Sequence, residues 1–98
     1  MEHRLDNRIQ APLTITIHTD NGDSFQTRAN NLSRGGVSVE LEAGWGIAEK
    51  RLVMVEFMEE WLSTKIPALV IKTTEISASL MFLEHSPELH SFLTILNR

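Results

Sequence analysis

The chain contains no cysteine. That excludes disulfides, thiolate metal sites and cysteine nucleophiles, and it is compatible with a reducing compartment. Apolar runs of membrane-spanning length are also missing, and Met1 is followed by Glu2, His3 and Arg4 rather than by an apolar signal core. The expectation is a cytoplasmic protein with no membrane insertion. Positive charge is not in excess either: the formal net charge is −4. A partner of long nucleic acid needs a broad cationic face to displace counterions, so that class is excluded. Aromatic residues are few, two Trp and four Phe. None clusters on the segments that matter below, which counts against a single-stranded nucleic-acid barrel with a stacking platform. No acid–base pair or metal-ligand spacing is evident, so neither an enzyme nor a cofactor is expected. His3, His18, His85 and His90 read as surface histidines. His85 and His90 are five apart and would diverge on a helix. Asp20 to Asp23 lacks the spacing of a calcium loop.

What is present fits one domain of 98 residues with an ordinary apolar content of 42%. Residues 1–11 are polar and lack a periodic face, so they read as a flexible arm leading into a barrel over 12–84. Leu13, Ile15 and Ile17 alternate with polar residues, the period of a half-buried strand. Asp20-Asn21-Gly22-Asp23 supplies a hairpin turn. Phe25, Thr27 and Ala29 return on the next strand, with Gln26, Arg28 and Asn30 on its other face. A bend at 31–36 leads to Val37, Val39 and Leu41, and Ala43 to Gly46 is a turn region holding Trp45. Leu52 to Met58 forms an apolar strand, Glu59 to Ser63 a connection holding Trp61, and 66–73 and 76–83 a last strand pair. Pro67 is expected at an edge or strand start, because it cannot donate to a ladder. Ser86 is a good N-cap and Pro87 suits the first turn. Leu89, Phe92, Leu93 and Leu96 then form one stripe, which predicts a helix over 86–97. Six antiparallel strands with one terminal helix read as a mostly β fold, a barrel or small sandwich with the helix as a lid.

Two stretches carry chemistry. Arg4 and Arg8 flank Leu5-Asp6-Asn7, and Asn31-Leu32-Ser33-Arg34-Gly35-Gly36 fills the bend. Each is weak alone, one as a solvated arm and the other as ordinary turn residues. Together they are expected in about one chain in a hundred of this length and average composition. A guanidinium matches phosphate oxygens or the O6/N7 edge of guanine in bidentate fashion. Asn and Ser add short directional partners, and glycines let backbone approach a ligand closely. The combination points to an anionic ligand that carries guanine. An arm that orders over such a ligand would itself be the signal.

These two stretches, in this order, resemble the PilZ family of bacterial cyclic di-GMP receptors, whose pattern is RxxxR followed by (D/N)xSxxG at the third strand. The resemblance extends over nearly the whole chain and implies a six-stranded antiparallel PilZ-type β-barrel with a C-terminal α-helix. It implies that Arg4 and Arg8 hold guanine and phosphate, while Asn31, Ser33 and Gly36 contact the second guanine side. His3 and Arg34 are further candidates. Family members often carry a glycine-rich last hairpin, where this chain has Glu75 to Leu80, so the resemblance assigns no ligand contact there. The implied protein is a non-catalytic second-messenger receptor acting on an unidentified effector protein in trans, and a homodimer is compatible with the sequence. The alternative is a PilZ-like interaction module that keeps the barrel without the ligand.

Overall fold

The computed structural model describes residues 13–60 and 62–96. The arm with His3, Arg4 and Arg8, and the placement of Trp61, lie outside the described residues. Six strands follow in order: β1 (Leu13–Thr19), β2 (Ser24–Leu32), β3 (Gly36–Glu40), β4 (Leu52–Glu59), β5 (Leu62–Thr73) and β6 (Ser77–Phe82). One helix, α1 (Pro87–Leu96), ends the described chain. The strands close into a barrel in the order β1-β2-β3-β6-β5-β4, and every neighbouring pair is antiparallel.

The barrel interior is built from the alternating apolar residues. Ile15 and Ile17 of β1, Val39 of β3, Val55 and Phe57 of β4, and Ala68 and Val70 of β5 are all fully buried. Phe57 and Phe82 meet edge-on with ring centres 6.2 Å apart, a favoured aromatic geometry. Outside, His18 links β1 to both neighbours: Ser24 Oγ lies 2.8 Å from Nδ1, and Glu56 Oε1 2.8 Å from Nε2. The carboxylate can only accept, so the Nε2 proton points to Glu56. His18 is a cross-strand brace, half-buried rather than freely solvated.

At the end of the chain, Ser86 Oγ accepts from Leu89 N at 3.1 Å. It caps α1 as expected, a contact worth about 1 kcal/mol. Leu89, Phe92 and Leu93 join the core, and α1 rests on β5. His85 precedes the helix rather than sitting on it. Its ring therefore comes within 5.8 Å of His90, where helical spacing had predicted divergence.

Two other expectations need correction. The connection at 59–63 is shorter than expected, because Glu59 pairs with Leu62 across the turn. Leu62 is a core residue at 1% exposure. Pro67 lies inside β5, not at an edge, in a barrel that has no edge. Its carbonyl accepts from Leu83 N, so its missing donor faces the point where β6 has already ended at Phe82. A ladder that stops there loses little by the absent N–H.

Candidate functional site

The bend between β2 and β3 is tighter than the sequence suggests. β2 runs on through Leu32, so only Ser33, Arg34 and Gly35 turn the chain. Ser33 N donates to the Gly36 carbonyl at 2.9 Å and closes the loop. Ser33 is 4% exposed, and its hydroxyl accepts from Gly35 N at 3.3 Å and lies 3.5 Å from the Gly36 carbonyl oxygen. Phe82 N donates to the Gly35 carbonyl at 2.9 Å, which fastens the bend to the end of β6. Gly36 itself meets β6 so closely that a Cβ would fall 2.3 Å from the Leu80 carbonyl oxygen. Both residues are therefore used inside the fold, the serine to hold the bend and the glycine to admit the neighbouring backbone. Arg34 is exposed on the bend.

Asn31 faces outward because of a register shift. Ala29 pairs with Val39, but Asn31 pairs with Ser38, so Asn30 is an extra residue in β2. Side chains alternate along a strand, so without the extra residue Asn31 would share the inward face of Ala29. With it, Leu32 enters the core and Asn31 sits half-buried on the outer face.

The same device recurs on β5. Val70 pairs with Leu80 and Lys72 with Ser79, which makes Ile71 the extra residue and turns Lys72 outward. Ser38 in turn pairs with Ser79. Asn31, Ser38, Ser79 and Lys72 thus form one outward row across β2, β3, β6 and β5. At the usual spacing of about 4.8 Å between strands, the row spans roughly 14 Å. Beside it, Gly36, Met81 and Leu69 form a second row on the same outer face. An amide, two hydroxyls and an ammonium beside an apolar strip can bind a flat heterocycle with an attached anion. The row offers hydrogen bonds and one cation but no paired nucleophile and base. Among the described residues no group of three or more His, Asp or Glu could hold a metal ion.

Of the expected site residues, the structure brings Asn31, Ser33 and Gly36 together at one end of the barrel. Arg4 and Arg8 lie outside the described residues. The same outward row also holds Ser38, Ser79 and Lys72, to which no sequence motif points. Each looked like an ordinary outward strand residue, and the only local hint was broken alternation at Asn30-Asn31 and Ile71-Lys72.

A family model described as PilZ domain matches residues 2–95. No curated protein matches the chain by sequence. Among solved structures, the PilZ domain with c-di-GMP of YcgR from Escherichia coli superposes with a TM-score of 0.76 at 21% identity, covering 97% of this chain and 88% of that one. The Bacillus subtilis inhibitor of motility, MotI/DgrA, gives 0.77 at 20% identity, covering 100% of this chain and 54% of its own. The c-di-GMP complex of K. pneumonia MrkH gives 0.75 at 14% identity, covering 98% and 53%. This chain therefore spans about half the length of the last two.

Proposed function

The chain belongs to the PilZ domain family, and on that premise we propose that it is a cyclic di-GMP receptor signalling to an effector protein in trans. The observation that carries the reading is the outward row from Asn31 to Lys72, set by two register shifts beside the Ser33–Gly36 bend. Bulges that re-aim side chains are common next to binding sites. In this reading Arg4 and Arg8 clamp phosphate and guanine from the arm. Asn31 meets a guanine edge, while Ser33 and Gly36 hold the bend on which that guanine is seated. Ser38 and Ser79 offer hydroxyls along the shelf, and Lys72 supplies a cation at its far end. Two relatives of the same fold are described in complex with c-di-GMP, which is consistent with such a ligand here.

The ligand-independent interaction module is compatible with the same bend. Ser33 and Gly36 already have work inside the fold, so their presence is explained without any ligand. Those two residues do not discriminate between the readings, whereas Arg4, Arg8 and Asn31 do.

The test is a map of amide chemical shifts in ¹⁵N-labelled protein as cyclic di-GMP is added. Residues 31–38 and 77–81 are expected to shift, with the 20–23 turn at the opposite barrel end unmoved. Shifts confined to that opposite end, or none at all in folded protein, would overturn the reading.

A further inference from the structure

At the barrel end away from the Ser33–Gly36 bend, the β3–β4 connection and the β5–β6 turn enclose an open concavity of about 310 Å³. Its floor is apolar. Leu41 and Ile47 rest against the core from outside, and the half-buried Trp45 stacks on Phe25 with ring centres 4.8 Å apart and planes 17° from parallel. Gly44 and Gly46, on either side of Trp45, have φ values of 92° and 72°, left-handed conformations that glycine adopts without a Cβ penalty. The rim is acidic: Glu42 and Glu75 border the cavity, both exposed, and among the described residues no Lys, Arg or His lines it. Next to Glu75, Ile76 stands 73% exposed. A hydrogen bond from Leu41 N to the Ile76 carbonyl at 2.8 Å ties the two walls together.

A concavity at the small end of the usual ligand range suits one or two side chains. The carboxylates would repel phosphate. Charge complementarity calls for a cation, and the Trp45 indole and Ile76 call for apolar surface beside it. A guanidinium satisfies both demands, since it pairs with carboxylates and stacks on aromatic faces. We propose that this concavity is the docking site for a partner-protein segment presenting Arg or Lys beside a bulky apolar side chain. This names the kind of effector surface that the receptor reading requires and rests on that reading for the partner's role. The binding itself needs no nucleotide.

The probe is an N-acetylated, C-amidated peptide of sequence Gly-Leu-Arg-Leu-Arg-Gly, added to ¹⁵N-labelled protein without nucleotide, with the Arg-to-Glu peptide as control. The basic peptide is expected to shift amides of 41–47 and 74–76, and the acidic one to leave them in place. In the exposed pair Glu42→Gln/Glu75→Gln, binding should weaken by about fivefold, the size expected from losing two solvent-exposed ion pairs. Shifts falling elsewhere, equal shifts with the acidic peptide, or unchanged affinity in the double variant would each overturn the proposal. None of these outcomes depends on cyclic di-GMP, so a failure here is distinct from a failure of the receptor reading.

Discussion

Gly36→Ala is expected to lower the melting temperature by about 10–15 °C, which corresponds to a loss of about 3 kcal/mol in a domain of this size. The added methyl would sit 2.3 Å from the Leu80 carbonyl oxygen, which is backbone and cannot swing aside. To relieve the clash β3 must move off β6, and the pairing from Gly36–Met81 to Glu40–Ser77 would loosen with it. The Phe82 N to Gly35 carbonyl bond at the same corner would be strained in turn. Gly44→Ala is the comparison that isolates crowding from conformation. Nothing lies within 4 Å of a Cβ there, but φ is +92°, so only conformational strain remains, about 1 kcal/mol. A thermal melt of both variants decides the matter. Gly36→Ala melting within a few degrees of wild type would show that β3 and β6 do not meet as closely as described.

Arg4→Ala and Arg8→Ala are expected to weaken cyclic di-GMP binding by about 30- to 100-fold each. A charge-assisted hydrogen bond contributes roughly 1.5–3 kcal/mol, and each 1.4 kcal/mol is a factor of ten in affinity. In the proposed binding mode, bidentate contact to phosphate or to the guanine edge would put these arginines at the upper end of that range. If the two arginines serve the ligand and not the fold, both variants without ligand should melt within about 0.5 kcal/mol of wild type. Calorimetric titration paired with a thermal melt separates the two effects. Unchanged affinity in both variants would remove the arginines from the site and leave the shelf alone to explain binding.

The strands were legible because each barrel strand buries one face, so apolar residues recur at every second position from Leu13 to Ile17 and again in β3 and β4. The helix was legible through Ser86-Pro87 and the stripe that follows. Pro67 was misjudged because its tolerance depends on where β6 stops, a fact about the neighbouring strand. Leu62 was misjudged because a short acidic segment, Glu59-Glu60, resembles a longer connection than it makes. The candidate site was legible only in part. Asn31 could be picked out by its motif, but its outward aim depends on Asn30 being an extra residue, which local pattern barely registers. Ser38, Ser79 and Lys72 are far apart in sequence and come into line only through the pairing of β3, β6 and β5. In the motif Ser33 and Gly36 look like ligand residues, and their work in the bend appears only with the Leu80 and Phe82 backbone beside them.

The most direct measurement is calorimetric titration of cyclic di-GMP into the wild-type chain, with GTP as the control ligand. A cyclic di-GMP receptor gives saturable binding at micromolar affinity or tighter, about 8 kcal/mol or more, and no comparable heat from GTP. A flat trace from protein shown to be folded would contradict the receptor reading.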